Sequence, residues 1–105
     1  MSFGVEYHPV AAAEFVDAQA WYEQQNLGLG DRFSAAFQAT LKQLSDWPHA
    51  GTPVVVADDG AVVNRKAPIG GFPWVVGYEV SDDVVIVLAV FHQHRRPDYW
   101  TTRRP

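Results

Sequence analysis

Val84-Val-Ile-Val-Leu-Ala-Val-Phe91, followed at once by His92-Gln-His-Arg-Arg-Pro-Asp-Tyr-Trp100, decides the fold. The first part is an unbroken apolar run of strand length. It is β-branched at most positions and free of Pro and Gly, so it predicts a β-strand. A strand apolar on both faces must be internal to a sheet and covered on both sides. The second part is the reverse, with two histidines, two adjacent arginines and two aromatics close together. A buried strand that ends in such a cluster holds polar groups on a rigid support at a surface edge, where binding and reactive groups are often placed.

Upstream of this strand, Ser81-Asp-Asp83 reads as a tight turn and Phe72 to Val80 as the strand that feeds it. Ile69-Gly-Gly71 is a second turn. Val54 to Ala57, the Asp58-Asp-Gly60 turn signal and Ala61 to Lys66 form either a small hairpin or one strand with a ragged start. His49 to Pro53 is a loop. Before it, Phe33, Phe37, Leu41 and Leu44 recur at helical spacing, in a helix that begins near Gly30 or Asp31 and ends at Trp47-Pro48. Asp31 suits the cap or the first turn. An earlier helix opens at Pro9, with Ala11, Phe15, Ala18 and Tyr22 as its apolar stripe and Asn26 and Gly28 as its stop. Glu14, Asp17 and Glu23 are assigned to its solvated face. Phe3 to His8 alternates apolar and polar as a short first strand.

The short joint makes the helices, near residues 9–26 and 30–47, an antiparallel hairpin. The expected class is α+β in the order β-α-α-β-β-β, a two-helix hairpin packed on a mainly antiparallel sheet. Phe15, Tyr22, Phe33, Phe37, Leu41 and Leu44 should lie between helices and sheet. One hairpin covers only one face, so the far face is expected to expose apolar surface in the isolated chain, where a partner would bind.

The 105 residues make one domain, residues 1–105, long enough to bury a core without staples. No cysteine is present, which excludes disulfides and Cys-based zinc sites. The N-terminus lacks the pattern of a signal peptide and no apolar run approaches the ~20 residues of a membrane span. A soluble, cytoplasmic protein with no membrane partner is expected. Net charge is −4, which disfavours a simple electrostatic nucleic-acid binder. The charge is uneven. Residues 1–64 carry eight acids and two bases, whereas residues 65–105 carry six bases and four acids. The C-terminal edge is a local basic site on an acidic body.

Arg95 and Arg96, with Arg65 and Lys66 from a neighbouring strand, are the leading candidates for chemistry, because guanidinium forks bind phosphate or carboxylate. The competing reading is a solvated end salt-bridged to Asp98 or Asp82. Tyr99 and Trp100 either stack on a base or cap the open end of the core, and capping suits Trp100 better. His92 and His94 share a spacing that serves metals, but further ligands are lacking. They read as structural histidines bonded to backbone or to a carboxylate such as Asp98, with no metal and no cofactor expected. Phe72, Trp74 and Tyr78 share one strand face and read as core against the helix hairpin, or else as the lining of a partner groove.

Taken in order, these pieces resemble the RelE/ParE superfamily of toxins. The motifs are Tyr7-His-Pro9, Gly28 to Arg32-Phe33, Leu44-Ser-Asp-Trp-Pro-His-Ala-Gly51, Arg65, Phe72-Pro-Trp74 with Tyr78, and Val90-Phe-His-Gln-His-Arg-Arg-Pro. The match covers nearly the whole chain, and its ending is closer to the ParE branch. The resemblance implies the toxin of a type II toxin–antitoxin system, of the plasmid-stabilisation kind, with a cognate antitoxin wrapped around it. It also implies action on DNA gyrase, as for ParE-like members, or messenger RNA cleavage on the ribosome, as for RelE-like members. Members often carry extra basic residues after the Phe-Pro-aromatic motif. This chain has Val75, Val76 and Glu79 there and is acidic overall. Ribosome engagement calls for a broad basic surface, so a gyrase inhibitor that is not an enzyme is favoured. The target-binding candidates are Arg65, Lys66, Arg95, Arg96, Tyr99 and Trp100. A ribonuclease would instead draw on Arg65, His92, Arg95, Arg96 and Tyr99, and a non-toxic binding module on the same fold is the third reading. The arginines at 65, 95 and 96 are expected to converge near the C-terminal edge with Tyr99 within reach.

Overall fold

The computed structural model describes residues 2–104. The elements are β1 (Gly4–Tyr7), α1 (Pro9–Gln25), α2 (Leu29–Asp46), β2 (Thr52–Val56), β3 (Val62–Pro68), β4 (Trp74–Ser81) and β5 (Val84–His92). Residues 52–68 form the hairpin, with Ala57 and Ala61 closing the turn, so the order has one strand more than the minimal expectation. Thr52 and Pro53 belong to β2 rather than to the preceding loop. The sheet runs β1-β5-β4-β3-β2, antiparallel throughout except for the parallel β1–β5 pair. The apolar run is therefore an internal strand.

The two helices lie on one face. Tyr22, Phe33, Phe37, Leu41 and Leu44 are buried there with Val76, Tyr78, Val85, Val87 and Val90, while Phe15 is half-buried and stacks on Phe37. Trp74 and Phe72 pack edge-on against Tyr22 and Phe33, the core role expected of the aromatic face.

α1 departs from the expected pattern. Val10, Val16 and Trp21 are exposed on its outside, Asp17 is exposed beside them, and Glu14 and Glu23 turn inward. The Glu23 carboxylate accepts from Gly28 N–H at 3.0 Å and Gly30 N–H at 3.0 Å. It supplies the anionic cap of α2 from the neighbouring helix, the charge that a helix N-terminus favours. Asp31 is left in the first turn.

The far face is not open. Ile86, Leu88, Ala89 and Phe91 are buried beneath Trp100, with Val54, Val75, Val84 and Tyr99 around them. The chain's own segment after β5 does the covering, which corrects the expectation of exposed apolar surface there. Two features permit it. The β4–β5 register shifts between Gly77 and Tyr78, so Leu88 and Ala89 both serve the far face before alternation resumes at Val90. Gly77 has no side chain where the Trp100 ring lies: a Cβ there would meet three ring atoms at 2.8 Å.

Candidate functional site

Three separated pieces of sequence meet at the loop after α2. Tyr78, buried on β4, donates its hydroxyl to Pro48 O at 2.8 Å and accepts from Gly51 N–H at 2.9 Å. Arg65 on β3, in register with Tyr78, donates from Nη1 to His49 O and Gly51 O, each at 2.9 Å. A side chain at Gly51 would overlap the Tyr78 hydroxyl. Pro48, Gly51, Arg65 and Tyr78 are thus one structural lock that fixes the turn from α2 into the sheet. The buried phenol is pushed above its ordinary pKa by burial, which keeps the donor protonated.

The second cluster sits at the other end of the sheet. β1 pairs with β5 only as far as Val87, so the β5 edge beyond it lacks a neighbouring strand. Glu14 and the tail occupy that edge. Val90 N–H donates to Glu14 Oε1 at 3.1 Å, and Arg103 Nη1 donates to Leu88 O at 2.8 Å. The two side chains pair with each other, Nη1 to Oε1 at 2.8 Å and Nη2 to Oε2 at 3.2 Å, with 14% and 17% of the carboxylate and guanidinium side chains exposed. Tyr99 completes the set by donating to Glu14 Oε2 at 2.7 Å. An open strand edge is a template for unwanted pairing, and here a charged pair closes it.

Burial alone would raise the Glu14 carboxyl. Hydrogen bonds from Arg103, Tyr99 and Val90, with the Arg103 charge, outweigh it and hold the group below the usual carboxylate range. Tyr99 moves the opposite way. Burial, then its bond to Glu14 and the carboxylate's charge, push the phenol far up despite the nearby arginines. The Arg95 guanidinium lies 4.1 Å from the centre of the Tyr99 ring and that of Arg103 lies 5.0 Å from it, both in cation–π range. Beside this cluster, an open groove of about 580 Å³ runs between α1 and the ends of β4 and β5, lined by Ala18, Trp21, Tyr22, Trp74, Phe91 and Arg95 among others.

The structure brings Arg95 and Tyr99 together and sets Arg65 apart. Arg65 aligns through Tyr78 with Val87, five residues before His92, which is roughly 17 Å along the strand. It lines a different cavity from Arg95 and is held by the loop carbonyls. Arg65 is therefore a structural residue, and the expected convergence does not include it. Trp100 is 1% exposed, stacked on Phe91 at 6.0 Å, so it caps the core and is out of reach of any target. Lys66 and Arg96 are exposed. His92 Nδ1 accepts from His94 N–H at 3.1 Å and its ring meets Trp74 edge-on. The salt bridges among the described residues are Lys42–Asp46 and Arg103–Glu14, so neither Asp98 nor Asp82 takes the expected pairing with Arg95 or Arg96. Sequence reasoning missed Glu14 and Arg103. The available signal was that Glu14 lies three residues after Ala11 and four before Ala18, on the buried stripe itself.

This arrangement of elements occurs in solved toxin structures. A free-state mutant of the E. coli toxin RelE matches with a TM-score of 0.58 at 14% identity, over 90% of this chain and 86% of that one. A chain of the chromosomal ParDE TA system from P. aeruginosa matches with a TM-score of 0.59 at 16% identity, over 87% of this chain and 96% of that one. These likenesses establish the fold. No curated protein matches the chain. A family model described as the ParE toxin of the type II toxin–antitoxin system, parDE, matches residues 5–97. The chain belongs to that family of type II toxins. Tyr99, Trp100 and Arg103 lie beyond the matched residues. No helix among the described residues is long and apolar enough to cross a membrane.

Proposed function

We propose that this toxin inhibits DNA gyrase by binding, without cleaving a substrate, and that a cognate antitoxin neutralises it. The observation that carries the reading is the state of Tyr99. A ribonuclease acting by 2′-hydroxyl attack needs a proton acceptor and a donor poised over the scissile phosphate. Tyr99 is the natural candidate by position, yet its hydroxyl is bonded to Glu14 and its pKa is far above neutral. Arg65 is engaged with loop carbonyls, and His92 Nδ1 already accepts a backbone N–H. What the C-terminal edge offers instead is a pair of accessible cations, Arg95 and Arg96, directly after the end of β5. Such a pair suits recognition of an acidic protein or DNA–protein surface. For the antitoxin, the natural landing area is the groove beside α1, with the exposed Trp21 at its rim. An amphipathic helix fits a surface of that kind.

Induced expression separates the readings in cells. Gyrase inhibition calls for a DNA-damage response that precedes any fall in protein synthesis, and co-expressed antitoxin should abolish it. Immediate translation arrest without a DNA-damage response favours the ribosome-dependent ribonuclease. No growth effect at all favours the binding module.

A further inference from the structure

Glu14 is none of the motif residues named above, and two of the residues it holds, Tyr99 and Arg103, lie past the matched segment. It nonetheless ties Tyr99 and Arg103 to α1 and the edge of β5. Its two oxygens take four donor groups: Val90 N–H, both Arg103 nitrogens and the Tyr99 hydroxyl. Tyr99 in turn presents its ring to Arg95 at 4.1 Å. A continuous set of contacts therefore runs from α1 to the cation at the mouth of the groove. Among the described residues Arg95 makes no salt bridge, and it is exposed. Without the Tyr99 ring, a flexible exposed arginine would sample many rotamers and lose entropy on docking.

We propose that Glu14 is a positioning residue of the target-binding edge, fixing Tyr99 and through it the direction of the Arg95 guanidinium. The inference rests on the reading of Arg95 as a target contact. It differs from a plain structural role in what it couples. A residue that only holds the fold would lower potency independently of Arg95. A residue that acts through Arg95 loses its influence once Arg95 is gone.

The test is a double-mutant cycle on the full chain. Wild type, E14Q, R95A, E14Q/R95A and Y99F are compared for potency in gyrase-catalysed supercoiling and, independently of target, for colony survival after induction. Thermal unfolding is recorded for each. Glu14→Gln keeps the volume but sets an amide donor against donors. The expected result is a loss of potency of about tenfold or more for E14Q and for R95A, with the double variant no weaker than the weaker single one. Tyr99→Phe keeps the ring under Arg95 and removes only the bond to Glu14, so it should share part of the E14Q loss with little change in melting. Losses that multiply in the double variant would overturn the proposal. So would Y99F potency within twofold of wild type, an outcome that stands even where E14Q folds poorly. Wild type that spares gyrase yet kills cells sinks the gyrase reading and leaves the cycle to be read in survival. Wild type harmless in both assays sinks both ideas.

Discussion

The chain covers its own far face with one tryptophan, and Gly77 is the residue on which that cover depends. Gly77→Ala places a methyl group 2.8 Å from Cδ2, Cε2 and Cζ2 of Trp100, a ring that is 1% exposed. Comfortable carbon–carbon contact is about 3.5–4.0 Å, so the ring has to withdraw by roughly 1 Å in a closed space. Overpacking of this kind costs about 1–3 kcal/mol. Trp100→Ala removes the obstacle along with the packing and costs about 3–5 kcal/mol. Gly77 is not among the positive-φ residues, so Ala is permitted there once the ring is gone. A strand then gains about 0.5–1 kcal/mol from Gly to Ala. G77A should therefore change sign, destabilising the wild type and neutral or slightly stabilising in W100A. Denaturant unfolding of the four proteins measures this, and the expected coupling is about 2 kcal/mol. In a domain of this size, 2 kcal/mol corresponds to roughly 8–16 °C in Tm, well resolved by circular dichroism. Costs that simply add would refute the contact, and with it the account of how the far face is closed.

Other outcomes follow from the two clusters. Tyr78→Phe removes a hydroxyl that both donates to Pro48 O and accepts from Gly51 N–H, so it should cost about 1–3 kcal/mol in urea unfolding with the fold retained. Arg96→Ala should leave the melting curve within about 0.5 kcal/mol of wild type while reducing toxicity, because Arg96 is exposed and makes no salt bridge among the described residues. The pH profile of stability should be limited on both sides by the tail. Glu14 has a depressed folded-state pKa, so its contribution is complete above its unfolded value of about 4.3 and is lost as pH falls below it. Tyr99 has a raised one, so its contribution is complete below about pH 10 and is lost as pH rises through the folded value. Urea midpoints across pH should show both limbs, with the acid limb shallower in E14Q and the alkaline limb shallower in Y99F.

Elements and core were legible in the sequence wherever period and punctuation agreed. Phe33, Phe37, Leu41 and Leu44 gave α2, Pro9 gave the start of α1, and Trp47-Pro48 gave the end of α2. The uniform run at 84–91 gave an internal strand but hid the register shift, since every residue in it is apolar and no alternation is left to break. The partners of the polar residues were not legible. Glu14 and Arg103 are 89 positions apart, and only the path of the folded chain joins them. Arg65 is a candidate on sequence grounds because guanidinium groups bind anions, yet in this fold carbonyl oxygens of a nearby loop claim it first. Trp100 was legible as a cap because a large apolar ring at that point has to be buried, although the glycine that admits it sits on another strand.

The central claim is inhibition by binding at an edge that carries Arg95 and Arg96. The most direct test offers the purified full chain, in parallel, to gyrase with relaxed plasmid and to translating ribosomes with a defined messenger RNA. Loss of supercoiling with intact messenger RNA, and relief of that loss in R96A, is the expected result. Cleavage of messenger RNA with supercoiling unaffected would contradict the claim.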